Sequence, residues 1–206
     1  MTGLANVNKA RLAVFISGGG TGLQAIIDAS RRGDLAADVV WVVSNSSKAF
    51  GLERAKSADV ETFVFLSKKY ATPEEATSDM LTKLRERKVE YIALAGYLKL
   101  LPAEIIRAYP KRIVNIHPGL LPRYGGSGMY GHFVHEAVIA AGEKESGPTV
   151  HIVDEIYDHG RILEQVRVPV LSGDTPETLA ARVLVEEHKL YPRAIDNLIR
   201  GKYDLD

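Results

Sequence analysis

The sequence predicts an α/β protein: a mostly parallel, twisted sheet with helices on both faces, an antiparallel C-terminal edge and a long final helix. Three observations lead there. Short apolar runs alternate with amphipathic segments as far as Ile116, the first run ends in a glycine-rich turn, and the pattern changes after Pro122. Residues 11–16, 39–43, 62–66, Tyr91–Leu94 and 113–116 form five apolar runs of strand length. Strands buried on both faces lose the in-out alternation of an exposed sheet and become continuously apolar. Between them lie helical segments at 23–32, 50–58, 73–88 and 102–109. The clearest start signal is Thr72-Pro73-Glu74-Glu75, with Thr as N-cap and Pro as first helical residue. Strand and helix in strict alternation imply right-handed crossovers and a Rossmann-like parallel sheet. Past Pro122, a helix at 130–141 leads to strands at 149–153 and 163–168, which form the antiparallel edge. The last helix spans 175–200, with Asp174 as its expected cap.

The bulk numbers narrow the function classes. A chain of 206 residues, 46% hydrophobic and 25% charged, fits one domain with a substantial core, and no repeat, low-complexity tract or linker divides residues 1–206. Lys and Arg together equal Asp and Glu together at 26 each, so there is no basic footprint for nucleic acid or an anionic membrane. The absence of cysteine excludes disulfides, thiolate metal sites and a Cys nucleophile. No window approaches the ~20 apolar residues of a membrane span. The stretch from Met1 to Lys9 is polar and lacks the apolar centre of a signal peptide, so the expected compartment is the cytoplasm.

Three segments carry chemistry. The run Arg112-Ile113-Val114-Asn115-Ile116-His117-Pro118 delivers Asn115 and His117 to one side of a strand end, because alternate residues share a face. An amide donor beside a titratable imidazole suits acyl or formyl transfer, where one group holds a developing oxyanion and the other moves a proton. A histidine satisfied within the fold and a turn-forming Asn would give the same three letters. The second segment, Ser17-Gly18-Gly19-Gly20-Thr21-Gly22, joins the first strand to a helix. Glycines admit an anion close to the backbone, and the helix start offers unpaired N–H groups. It is no Walker loop, since no Lys-Ser/Thr follows. It also lacks the third glycine of a dinucleotide fingerprint, although Asp38 stands about where a ribose carboxylate would. A terminal phosphate on a small substrate fits better; a merely tight turn is the structural alternative. The third segment, Asp154-Glu155-Ile156-Tyr157-Asp158-His159-Gly160, places Asp158 before a turn, where it could pair with His117 and raise its pKa. Taken alone, these carboxylates need only solvate a hairpin. A metal site built from His117, His151, Asp158 and His159 matches no tight ligand spacing, and none is expected.

Together with Val43-Ser44-Asn45, Gly51-Leu52-Glu53-Arg54-Ala55, Leu94-Ala95-Gly96-Tyr97, Leu120-Leu121-Pro122, Pro169-Val170, Gly173-Asp174 and Glu187-His188 before Tyr191-Pro192, these segments set a pattern. By their order and spacing the chain resembles the phosphoribosylglycinamide formyltransferase family, the folate-dependent enzymes of purine biosynthesis, over essentially its whole length. The resemblance implies that Asn115, His117 and Asp158 form the catalytic trio. Gly20, Thr21 and Gly22 would hold the phosphate of glycinamide ribonucleotide, and Glu187 its ribose. Leu98, Lys99, Leu100 and Leu101 would line the pocket for 10-formyltetrahydrofolate, with Asp154, Glu155, Ile156 and Tyr157 closing over the pterin. Asp158 would keep His117 protonated near neutral pH. Neither a metal nor a redox cofactor is implied, and the chain would act as a monomer or homodimer.

Two departures stand out. Gly19 and Gly22 replace asparagines common in the family, which leaves the phosphate to backbone groups. The segment 123–131 is longer and richer in glycine than the usual turn, and is either a flexible lid or a benign insertion. No residue clearly matches the family's basic contact to the folate glutamate tail, although Lys68 and Lys69 lie nearby. The resemblance extends more weakly to formyltetrahydrofolate hydrolases, whose extra N-terminal domain has no counterpart before Arg11. It extends also to methionyl-tRNA formyltransferases, whose basic C-terminal domain has none after Asp206. A nucleotide-binding module without catalysis would keep the glycine turn but would not need the trio.

Overall fold

A computed structural model describes residues 9–205; residues 1–8 of the polar N-terminal stretch, and residue 206, lie outside the described residues. The parallel half contains β1 (Ala10–Ile16), α1 (Thr21–Arg32), β2 (Ala37–Ser44), α2 (Gly51–Ser57), β3 (Thr62–Val64), α3 (Pro73–Glu86), β4 (Tyr91–Leu94), α4 (Ala103–Ala108) and β5 (Ile113–His117). The remainder contains α5 (His132–Ala140), β6 (Glu145–Ser146), β7 (Thr149–Ile152), β8 (Ile162–Gln165), β9 (Val168–Pro169) and α6 (Pro176–Ile199). One seven-stranded sheet runs in the order β3-β2-β1-β4-β5-β7-β8, parallel as far as β5 and antiparallel beyond it.

The pleat of β1 explains the layering. Leu12, Val14 and Ile16 point into a core shared with α1, α2 and α6, while Ala13 and Phe15 point into a second core shared with α3 and α4. Both faces are therefore covered, as a parallel sheet requires. A third, smaller cluster joins α5 to the first turns of α6 through Val134, Val138, Leu179 and Val183. Thr72 caps α3 as expected, its hydroxyl accepting from the Glu75 N–H.

Two expectations are corrected. The run 163–168 is not one strand: β8 pairs with β7, whereas β9 leaves the sheet and pairs with β6. The break falls where the Val166 N–H donates to the Pro148 carbonyl, beside Gly147 at φ 140°. The cap of α6 is Thr175, which exchanges hydrogen bonds with Thr178 in a capping box, while Asp174 is taken up by Arg182 at 2.7 Å.

Helix α6 is fastened to the sheet by Tyr191. Its buried hydroxyl is shared between the carbonyls of Leu94 (2.9 Å) and Val114 (3.0 Å), the two strands that lead into the site. Tyr191→Phe leaves both carbonyls without that donor, and is expected to cost about 1–2 kcal/mol, read as a lower urea midpoint at unchanged m-value.

Candidate functional site

In a doubly wound sheet, ligands bind beyond the carboxyl ends of the strands where the order reverses, here between β1 and β4. Three chain segments meet there: the turn after β1, the loop after β4 and the end of β5. The turn is held from below by α2. The Gly51 N–H donates to the Gly18 carbonyl at 3.0 Å, and Arg54 Nε to the Gly19 carbonyl at 2.9 Å. Gly20 caps α1 in the left-handed region (φ 71°), and a Cβ there would sit 2.6 Å from the Gly51 Cα. Only glycine satisfies both demands. Gly20 lends α1 no side-chain cap, so the first N–H groups of the helix, beginning with Thr21 and Gly22, keep their capacity for an anion.

The end of β5 carries Asn115 and His117, and the loop between β7 and β8 brings Asp158 to them, so the structure brings all three members together. His117 Nδ1 lies 3.4 Å from Asp158 Oδ2, and Asn115 Nδ2 lies 3.4 Å from Asp158 Oδ1. Asp158 also accepts the Gly126 N–H at 3.0 Å, and His117 Nε2 lies 2.8 Å from the Tyr124 carbonyl. A carbonyl only accepts, so Nε2 carries the hydrogen. Two backbone groups of the segment 123–131 thus contact the trio directly. The segment is anchored at its start, where Tyr124 Oη donates to Glu143 (2.8 Å) and Arg123 pairs with the same carboxylate (2.9 Å).

Electrostatics corrects one expectation. Burial pushes the His117 imidazole below its ordinary pKa, and this outweighs the raising influence of Asp158 and of the Tyr124 carbonyl; His151 lowers it further. The resting imidazole is therefore not held protonated near neutral pH. Burial acts to raise the Asp158 pKa, yet the neighbouring His151 and His117 imidazoles and the Gly126 N–H bring it below the usual carboxylate range. An ionised carboxylate facing a bare Nδ1 leaves one gap that a single proton fills.

A cavity of about 870 Å³ opens in front of the trio. Leu98, Lys99, Leu100 and Leu101 form one wall, and Asp154, Ile156 and Tyr157 another. Glu155 does not line it: its carboxylate pairs with Arg107 at 2.9 Å on the outside of the loop. Glu187, on α6, also faces the cavity, and burial raises its carboxyl pKa to about 7. Gly20, Thr21 and Gly22 are not in the cavity wall but lie next to it. The Ser17 N–H bonds the Gly96 carbonyl at 3.1 Å, and Ser17 Oγ accepts the Leu98 N–H at 2.9 Å, which ties the glycine turn to the wall.

His151 is the residue the sequence undervalued. Its Nε2 lies 3.1 Å from Asn115 Nδ2 and 3.5 Å from Asp158 Oδ1. The available signal was the strand Thr149-Val150-His151, which alternation could have aimed at Asn115 had the β5–β7 pairing been known. Among the described residues, no group of three His, Asp or Glu side chains is placed to hold a metal ion. His159 pairs instead with Asp154 at 2.7 Å.

A Rossmann-like sheet thus sets an amide and an imidazole at the end of β5 beside a carboxylate from the loop between β7 and β8, an arrangement suited to group transfer. The match of residues 10–195 to the formyl transferase family model makes the relationship specific: the chain belongs to the formyl transferase family. It is 48% identical over 192 residues to a chloroplastic phosphoribosylglycinamide formyltransferase of Vigna unguiculata, covering 93% of this chain and 62% of that protein. The chain thus spans less than two thirds of the length of that plant relative. It is 40% identical over 195 residues to the phosphoribosylglycinamide formyltransferase of Haemophilus influenzae, covering 95% of this chain and 90% of that one. Among solved structures, glycinamide ribonucleotide transformylase 1 from Symbiobacterium toebii superposes with a TM-score of 0.90 at 38% identity, covering 97% of this chain and 92% of that one.

Proposed function

We propose that the chain transfers the formyl group of 10-formyltetrahydrofolate to the amine of N1-(5-phospho-D-ribosyl)glycinamide, giving the N-formyl product and tetrahydrofolate in purine biosynthesis. The observation that carries this reading is the His117–Asp158 pair, set beside Asn115 at the inner end of a cavity whose neighbour is a glycine turn at a helix start. The relatives' names agree with it. In this reading the amine nitrogen attacks the formyl carbon, and the carbonyl oxygen becomes an alkoxide that an Asn115 N–H stabilises. The proton leaving the amine enters the gap between His117 Nδ1 and Asp158. It then passes to folate N10 as the bond from N10 to the formyl carbon breaks. Neutral His117 begins as the proton acceptor and ends as the donor, so a lowered resting pKa suits the cycle.

The phosphate goes to Gly20, Thr21 and Gly22, and the ribose hydroxyls to Glu187. The folate occupies the walls formed by residues 98–101 and the loop at 154–157, with Leu98, Leu100 and Ile156 supplying exposed apolar surface for its rings. Cytoplasmic residence, as a monomer or homodimer, is the setting proposed for this activity. Absorbance-monitored formyl transfer tests it. Turnover that requires glycinamide ribonucleotide supports the transferase, deformylation of the folate without the amine favours a hydrolase, and no turnover by folded protein overturns both.

Glu187 provides a pH-dependent check. Its carboxyl is neutral below about pH 7 and charged above it. A carboxylate accepts ribose hydroxyls more strongly than the neutral acid does. The KM for the ribonucleotide is therefore expected to rise as pH falls through about 7, by about three- to tenfold. Glu187→Gln should hold KM at the higher value and lose that titration, leaving only the substrate phosphate, which ionises near pH 6.

A further inference from the structure

His151 is a buried polar group in contact with Asn115 that has no part in the chemistry described above. It is 2% exposed, and it sits opposite Asn115 in the β5–β7 register, where β7 carries an irregularity against β8 between Val150 and His151. Such bulges re-aim a side chain. His151 Nδ1 lies 2.9 Å from the Ile152 carbonyl, which only accepts, so this nitrogen carries a hydrogen. In a neutral ring the other nitrogen, Nε2, is then an acceptor. It faces Asn115 Nδ2 at 3.1 Å, which fixes the amide with its nitrogen toward His151.

We propose that His151 is a positioning residue: as a neutral Nδ1–H imidazole it locks one N–H of the Asn115 amide, and so sets which amide hydrogen faces the developing oxyanion. The proposal rests on the formyl-transfer reading above. An amide nitrogen has two hydrogens; one goes to His151 Nε2, and the second is held only loosely by Asp158 Oδ1 at 3.4 Å. That second hydrogen is the one the alkoxide can claim. Without His151 the amide is free to turn its oxygen toward the alkoxide, which repels it. With His151 present in the other tautomer, an N–H would face the amide nitrogen and the lock would be lost.

The test combines a double-mutant cycle with a spectroscopic measurement on the wild type. His151→Phe removes the acceptor and is expected to lower kcat about tenfold, the scale of one hydrogen bond, with KM for both substrates changed by less than about threefold. His151→Gln offers an amide oxygen in its place and should recover most of kcat. In an Asn115→Ala background, His151→Phe should cost nothing further, because its effect passes through Asn115. Additive losses, or equal losses for Phe and Gln, would overturn the proposal. Nitrogen-15 NMR of the wild-type imidazole needs no variant that might misfold. A neutral ring protonated at Nδ1 is the expected result, and an Nε2–H ring or an imidazolium at neutral pH refutes it. This readout is independent of turnover, so a protein without formyl transfer would sink the functional reading while the tautomer still decides the orientation of Asn115.

Discussion

His117→Ala is expected to lower kcat by about a thousandfold, the middle of the range for a positioned acid–base group and about 4 kcal/mol of barrier. The imidazole is 3% exposed and stands at the inner end of the cavity, and Nδ1 borders the one gap with Asp158 that a proton can fill. Alanine removes that acceptor and also leaves the Tyr124 carbonyl without its donor. The second loss is structural and separable. His117→Gln can still donate to Tyr124 but cannot shuttle a proton at neutral pH, so it should keep the wild-type melting temperature and stay as inactive as the alanine variant. Recovery of turnover in the Gln variant would reduce His117 to a loop anchor. The sign of the pH dependence also follows. The resting pKa lies below the ordinary value for histidine, so the neutral acceptor form is present throughout the neutral range and is lost as pH falls through that lowered pKa. Activity should decline on the acid side of neutrality.

Asp158→Asn comes second, with an expected fall in kcat of about a hundredfold. The substitution nearly preserves shape. Asp158 sits at φ 53°, a conformation that Asn tolerates, and an amide oxygen can still accept the Gly126 N–H. What disappears is the charge that raises the His117 pKa against burial. The acid limb of kcat should therefore move to lower pH, and the imidazolium formed during transfer loses its counter-charge. A pH–rate profile of wild type and variant measures both effects at once. An unchanged profile would make Asp158 a fastener for segment 123–131 and nothing more. Stability should respond in a separate window. The folded-state pKa of Asp158 is depressed, so its contribution is present above the unfolded carboxylate pKa and is lost as pH falls through the folded value. The Asp158→Asn variant, with no proton to gain at this position, should lack that acid loss.

Much of this was legible in the chain because it depends on local order. Five continuous apolar runs separated by amphipathic segments fix a covered parallel sheet, and Thr72-Pro73 fixes the start of α3. The glycine turn was legible for a similar reason: four glycines in five residues between an apolar run and a helix mark a tight turn whose backbone can approach a ligand. Asn115 and His117 were visible because alternation alone puts them on one side of a strand end.

Other features were hidden because they depend on which strands become neighbours. Arg54 and Gly51 support the glycine turn across more than 30 residues of chain. His151 meets Asn115 only because β7 reverses direction against β5. The placement of Glu155 outside the cavity, and the roles of the Tyr124 carbonyl and the Gly126 N–H, required the folded loop. The sign of the His117 pKa shift was hidden as well, since burial and an adjacent carboxylate oppose each other and only the depth of the site decides between them. By itself, then, the sequence determined the strand order's local building blocks, the glycine turn and the shared face of Asn115 and His117, all set by periodicity and backbone sterics, while Asp158 was added to them by the family resemblance. The tertiary structure alone decided the resting protonation of His117 and the hydrogen-bond shell that orients it, because desolvation and donor–acceptor pairing are properties of neighbours in space.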